Sequence, residues 1–174
     1  MGLLTQHDRK ATQSCKCGYY GHPTKECRCT PYEVRSYLAK ISGPLLDRID
    51  IHIELPALTY NELSSAKESG KKSATIRDCV LKARQLQRER YKNINVSSNM
   101  ALPPSKIKKF CPLSQEVRAL LERALDRLGL SARAYDKILR VARTIADLDS
   151  SNHIKSYHIS EAISYRSLDR QYWE

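Results

Sequence analysis

The chain has 174 residues, with 30 Lys and Arg against 19 Asp and Glu, for a formal net charge of +11 and a pI of about 9.5. That balance favours a polyanionic partner such as nucleic acid or nucleotide phosphate; the plain alternative is a basic surface with no partner. With 41% hydrophobic and 28% charged residues it reads as a soluble globular chain able to bury a core in one domain or two small ones. No apolar run approaches the ~20 residues of a membrane span, and the N-terminus lacks the charged-then-apolar layout of an export signal. Gln6 stands where N-myristoylation wants Ser or Thr. Six cysteines in such a chain point to reduced thiols or metal rather than disulfides, and so to the cytoplasm.

Taken in order, residues 1–14 are polar, show no periodicity, and are expected to form a disordered tail. A cysteine-rich loop follows at 15–29, where the pairs Cys15/Cys17 and Cys27/Cys29 flank two glycines, a proline and His22. Four thiolates satisfy a tetrahedral Zn²⁺, and the intervening turn is long enough to bring the pairs together. A Cys-x-Cys pair is a weaker signal than Cys-x-x-Cys, so a flexible cysteine-rich loop is the bland reading. Thr30-Pro-Tyr-Glu33 then opens a helix, with Thr30 as N-cap, Pro31 in the first turn and Glu33 completing a capping box. Val34, Tyr37, Leu38 and Ile41 share one face.

Gly43-Pro44 ends that helix, and a short turn holds Leu45, Leu46, Asp47 and Arg48. Ile49, Ile51 and Ile53 then alternate with Asp50, His52 and Glu54 up to Pro56, the pattern of a strand. No later segment reads as a partner, and a lone strand is not stable. The stretch 30–56 therefore looks like the end of a sheet-containing domain. Arg48 is a charge at an apolar corner, either paired with Asp47 or Asp50 or held out toward something beyond its own fold.

Residues 57–72 read as a linker, and 73–174 as a helical domain. Its first helix starts at Ser73, with Ile76, Cys79, Val80, Ala83 and Gln87 on the expected buried face. Between 71 and 92 there are eight Lys and Arg against two acids, with Arg77, Arg84 and Arg88 in one stripe. Such a stripe is either a solvated face or a phosphate-facing edge. After Pro103-Pro104 comes a short turn, Lys106–Cys111. Three helices follow, over about 114–128 (capped by Ser114, stopped by Gly129), 131–148 (capped by Ser131) and 156–171. Short connections make them antiparallel neighbours in a small bundle. The fold class is mainly α.

Several stretches together resemble one family: Cys17-Gly-Tyr-Tyr-Gly-His-Pro-Thr-Lys-Glu-Cys27, Ile41-Ser-Gly-Pro-Leu-Leu-Asp-Arg-Ile-Asp50, Leu130-Ser-Ala-Arg-Ala-Tyr-Asp-Lys-Ile-Leu139, Val141-Ala-Arg-Thr-Ile-Ala-Asp147 and Glu161-Ala-Ile-Ser-Tyr-Arg166. The family is the magnesium-chelatase-like AAA+ ATPases of the bacterial competence type, and the resemblance covers roughly the C-terminal third of such a protein. It implies that 30–56 ends an AAA+ core and that 73–174 is the helical lid. It also implies that Arg48 is an arginine finger reaching a neighbouring subunit's γ-phosphate, and that Arg133 is a sensor 2 arginine over the phosphates of its own subunit. ATP and Mg²⁺ would serve the full-length protein, Zn²⁺ is possible at the cysteines, and the partners would be like subunits in a ring, expected to be hexameric, and DNA.

The departures are specific. No G-x-x-x-x-G-K-[ST] loop occurs, no acidic Walker B strand, and Thr12-Gln13-Ser14 stand where the family has a sensor 1 Asn-Pro. The chain is accordingly expected not to hydrolyse ATP on its own. The competing expectation is a stand-alone basic helical nucleic-acid-binding module, with 114–128 and 131–148 as a helix-turn-helix and the cysteine loop as a zinc knuckle.

Overall fold

The computed structural model describes residues 15–22, 24–40, 48–53, 55, 64 and 70–166. The tail at 1–14, the turn at 41–47, most of the linker and the stretch 167–174 lie outside the described residues. Among the described residues six helices run in order: α1 Pro31–Leu38, α2 Ser73–Tyr91, α3 Pro104–Phe110, α4 Gln115–Leu128, α5 Ala132–Leu148 and α6 Ser156–Ser164. The mainly-α expectation holds.

Helix starts follow their side chains. The Thr30 amide donates to Glu33 at 2.9 Å and the Glu33 amide donates back to Thr30 Oγ1 at 3.2 Å, the reciprocal capping box expected for α1. Ser114 and Ser131 accept from the Val117 and Ala134 amides at 3.3 and 3.1 Å. Gly129, with φ 57°, lets α4 end in a left-handed cap and turn directly into α5.

α5 is the central rod, packed on α2, α3 and α6, while α6 also packs on α4. Its Ala134, Ala142 and Ala146 are buried, and small side chains there let the neighbours approach closely. Around them lie Leu102, Ile107, Val117, Leu121, Ile138, Leu139, Ile154 and Ile159, with Tyr91 edge-on to Phe110 at 5.2 Å. Each fully buried aliphatic side chain of this set contributes about 1.5–3 kcal/mol of transfer free energy.

Two packing expectations fail. Residues 73–82 are exposed throughout, Ile76, Cys79 and Val80 among them; the buried residues of α2 are Ala83, Gln87 and Tyr91, all in its second half, where Arg90 also pairs with α5. The 3.6-residue pattern marks which residues share a face, not whether anything covers it. The second failure is the strand at 49–55. Among the described residues there is no strand, since no second segment offers a ladder. The segment also faces opposite to what its apolar alternation suggests. His52 is buried, while Ile51, Ile53 and Leu55 are exposed. Polar contacts hold it: the His52 amide donates to the Tyr165 carbonyl at 2.8 Å, Arg166 donates to the Ile49 carbonyl, and Lys137 pairs with Asp50 at 2.9 Å.

A buried polar network fastens α2, the 98–103 loop and α5. Arg90 donates through both Nη atoms to the Asp147 carboxylate, and Asn99 Nδ2 donates to it at 2.8 Å. Asn99 in turn accepts from the Tyr91 hydroxyl at 2.8 Å. Arg143 Nη2 lies 3.2 Å from Asp147, and its guanidinium also donates to the carbonyls of Ser151 and Asn152. Desolvation pulls the Arg143 pKa below its ordinary value, and Asp147 supports the charged form against it.

Candidate phosphate-facing groove and cysteine cluster

Arg48 and Arg133, 85 positions apart, line one open groove of about 360 Å³ together with Pro104, Asp136, Lys137 and Arg140. Arg133 stands in the first turn of α5, and Lys137 and Arg140 follow at i+4 and i+7, so one helix face delivers three cations. Arg48 comes from the segment held against α5 and α6 by Asp50, Ile49 and His52. Asp50, one of the two acids expected as a local partner for Arg48, is taken by Lys137 instead; Asp47 lies outside the described residues. Arg140 Nε donates to the Leu102 carbonyl at 3.1 Å, which fixes the root of its guanidinium at the groove edge beside Pro104. With Lys137 paired to Asp50 and Asp136 also on the lining, four cations against two carboxylates leave the groove net positive, and guanidinium forks match phosphate oxygens in geometry. A groove-directed reading of 131–140 was available in the sequence from the spacing of Arg133, Lys137 and Arg140, but the resemblance pointed to Arg133 alone.

The second cluster is the cysteine loop. The Sγ atoms of Cys15, Cys17, Cys27 and Cys29 all lie within 4.8 Å of one another. Cys15–Cys17, Cys17–Cys27 and Cys15–Cys27 are separated by 3.3, 3.5 and 3.7 Å. The Tyr20 amide donates to Cys15 Sγ at 3.3 Å. A hydrogen bond from the Tyr19 amide is the main reason the Cys17 thiol is drawn down to about 6. At Cys27 the Cys29 amide also pulls downward, but burial and the neighbouring sulfurs of Cys17 and Cys15 outweigh it and push the thiol up to about 12. The four sulfurs thus form a soft, all-thiol donor set of the kind that suits Zn²⁺ or Fe.

Arg143, on the helix that the helix-turn-helix expectation uses as its second, is buried with Asp147 against α2 and the 151–152 loop. Arg77, Arg84 and Arg88 on α2 are exposed.

Comparison with known families agrees with the sequence resemblance. The family described as magnesium chelatase, subunit ChlI C-terminal, matches residues 70–166, more than half of the chain, and the one described as magnesium chelatase, subunit ChlI, matches residues 9–63. The chain belongs to the magnesium-chelatase-like family. Competence protein ComM of Haemophilus influenzae is 42% identical over 143 residues, which cover 82% of this chain and 27% of ComM. YifB of Escherichia coli is 43% identical over 143 residues, covering 82% of this chain and 28% of YifB. Rv2897c of Mycobacterium tuberculosis is 32% identical over 157 residues, 90% of this chain and 30% of that protein. This is a ComM/YifB-type magnesium-chelatase-like chain that spans a little over a quarter of the length of the relatives it matches. Among the described residues no helix is long and apolar enough to cross a membrane.

Proposed function

We propose that this chain is the lid and arginine-bearing segment of a ring-forming AAA+ ATPase that couples ATP hydrolysis to DNA remodelling, with the Arg48–Arg133 groove turned toward nucleotide phosphate. The observation carrying this reading is that two arginines singled out separately in the sequence line the same groove. Phosphoryl transfer is catalysed largely by positioning and charge neutralisation, which is what fixed guanidinium groups supply. Arg48 would act as the finger, its planar fork spreading positive charge over the transferring phosphoryl oxygens. Arg133 would hold the same phosphates from the start of α5, where the helix dipole also favours an anion. Because both line one groove, we read them as serving a single nucleotide. A finger directed at a neighbouring subunit then carries Arg133 to that same site, rather than leaving it over its own subunit's phosphates. Lys137, paired with Asp50, would set the position of the Arg48 segment. ATP and Mg²⁺ would be held mainly by the neighbouring core. The exposed arginines of α2 favour DNA as a further polyanion on the opposite duty.

The test is an NMR titration of the ¹⁵N-labelled chain with inorganic tripolyphosphate. Amides at 132–140 and 48–53 should shift, and Arg48→Ala with Arg133→Ala should abolish those shifts while leaving the bundle spectrum intact. Shifts confined to α2, or none at all, would remove the groove from the reading. Steady-state ATP turnover by the chain alone should be absent.

A further inference from the structure

We infer that Cys15, Cys17, Cys27 and Cys29 bind one Zn²⁺ in a closed, all-thiolate structural site. Four sulfurs at zinc-bond lengths of about 2.3 Å around a tetrahedral centre are separated along each edge by about 3.8 Å. The observed separations of 3.3, 3.5 and 3.7 Å approach that edge. They are also far outside the ~2.05 Å of a disulfide. Two Cys-x-Cys pairs, ten residues apart in the chain from Cys17 to Cys27, converge to this spacing only because the loop turns back on itself. The turn is built for it: Gly18 and Gly21 hold φ of 80° and 74°, a region that favours glycine.

The turn also brings backbone support to the sulfur cluster. The Tyr20 amide donates to Cys15 Sγ at 3.3 Å, and the Gly18 amide closes the turn onto the Cys15 carbonyl at 3.1 Å. Amide donors of this kind stabilise thiolate charge and orient the ligands around a metal. Lys16, Lys25 and Arg28 lie exposed on the same loop and offset the negative charge that four thiolates leave around a divalent ion. His22 is not a competing ligand in this arrangement. Its Nδ1 accepts from the Thr24 and Lys25 amides at 3.2 and 3.1 Å, and its ring stands edge-on to Tyr19, so it serves the turn.

With all four positions filled by protein, the site has no open place for substrate or activated water, and its role is structural. Cys29 directly precedes Thr30, the N-cap of α1. An eight-residue helix is far below the length that is stable by itself, so a metal at the cysteines would anchor the start of α1. This inference is independent of the groove: the metal site could stand whether or not the groove binds phosphate.

The experiment uses the full chain purified without chelators. Elemental analysis and native mass spectrometry should give one zinc per chain. Replacement with Co²⁺ should give the visible ligand-field bands of a tetrahedral thiolate site. The double substitution Cys15→Ser with Cys27→Ser should lose stoichiometric zinc, and Cys79→Ser should retain it. Hydrogen exchange of the zinc-stripped chain should show protection lost in residues 15–38 and kept in 104–164, which separates loss of the site from loss of the fold. Zinc well below one per chain, iron in its place, or a Cys15–Cys27 disulfide in freshly purified protein would each overturn the inference. So would stoichiometric zinc that survives the double substitution.

Discussion

Asp147 is the position at which a single substitution should cost this bundle most for the fewest atoms removed. Its carboxylate is fully buried and receives Arg90, Arg143 and Asn99. The two arginines differ in their escape routes. The Arg90 side chain is 20% exposed and is able to turn outward, whereas that of Arg143 is 2% exposed and is held by the Ser151 and Asn152 carbonyls. Asp147→Ala therefore strands a buried guanidinium with backbone acceptors alone, and breaking a buried pair in this way costs about 3–5 kcal/mol. Arg90→Ala leaves Asp147 still served by Arg143 and Asn99, and should cost about 1.5–3 kcal/mol, the range for a hydrogen bond to a charged group. Equilibrium urea unfolding followed by far-UV circular dichroism measures both. Against a total stability of about 5–15 kcal/mol for a domain of this size, either change is easily read. A loss below about 1 kcal/mol for Asp147→Ala, or a larger loss for Arg90→Ala than for Asp147→Ala, would refute the argument that Arg143 is the charge with nowhere to go.

Asp149 accepts from the Tyr157 hydroxyl at 2.6 Å and faces His158 Nε2 at 3.2 Å, and these two contacts hold it below the ordinary carboxylate range. A depressed carboxylate stabilises the fold above its unfolded pKa, and that contribution fades as pH falls through the lowered folded value. Urea midpoints measured from about pH 6 down to about pH 3 should fall less steeply in Asp149→Asn than in the parent chain; equal slopes would show that this carboxylate carries no linkage. Hydrogen exchange should divide α2 into two parts. Amides of 77–82, on the uncovered turns, should exchange much faster than those of 83–91, which pack on α5; uniform protection along the helix would mean that something covers its first half.

The sequence made the boundaries of this fold legible where a single side chain decides them. Thr30 with Glu33, Ser114, Ser131 and Gly129 each satisfy backbone groups locally, so their roles need no knowledge of the rest of the chain. The resemblance singled out Arg48 and Arg133 separately, but not their convergence on one groove, because nothing local to either residue encodes the approach of segments 85 positions apart. The errors have one origin. Ile76 and Val80, like Ile51 and Ile53, show apolar periodicity, but periodicity is silent about which neighbour meets that face. At 49–53 hydrogen bonds from Arg166 and the His52 amide, together with the Lys137–Asp50 pair, decided the orientation instead. The burial of Arg143 and Asp147 has no local signal in the sequence; their mutual neutralisation, with Arg90 completing it, is what makes that burial tolerable. The cysteine loop is intermediate. Its composition suggested a metal, while the convergence of its sulfurs and the Tyr20 amide on Cys15 emerged only with the turn at Gly18 and Gly21.

The central helix α5 carries the groove cations at its first turns and the Asp147 network at its last. Seventeen residues of α-helix make a rod about 25 Å long. Its far end is clamped by buried charges to α2 and to the 151–152 loop, and its near end is tied through Lys137 and Asp50 to the segment bearing Arg48. A close-packed interior resists bending such a rod. An ångström-scale pull on Arg133 by a phosphate would consequently be accommodated by tilting the whole bundle about the groove, with Arg48 travelling along. In mechanical language, the bundle is a lever whose short arm is two arginines and whose long arm is everything packed behind them.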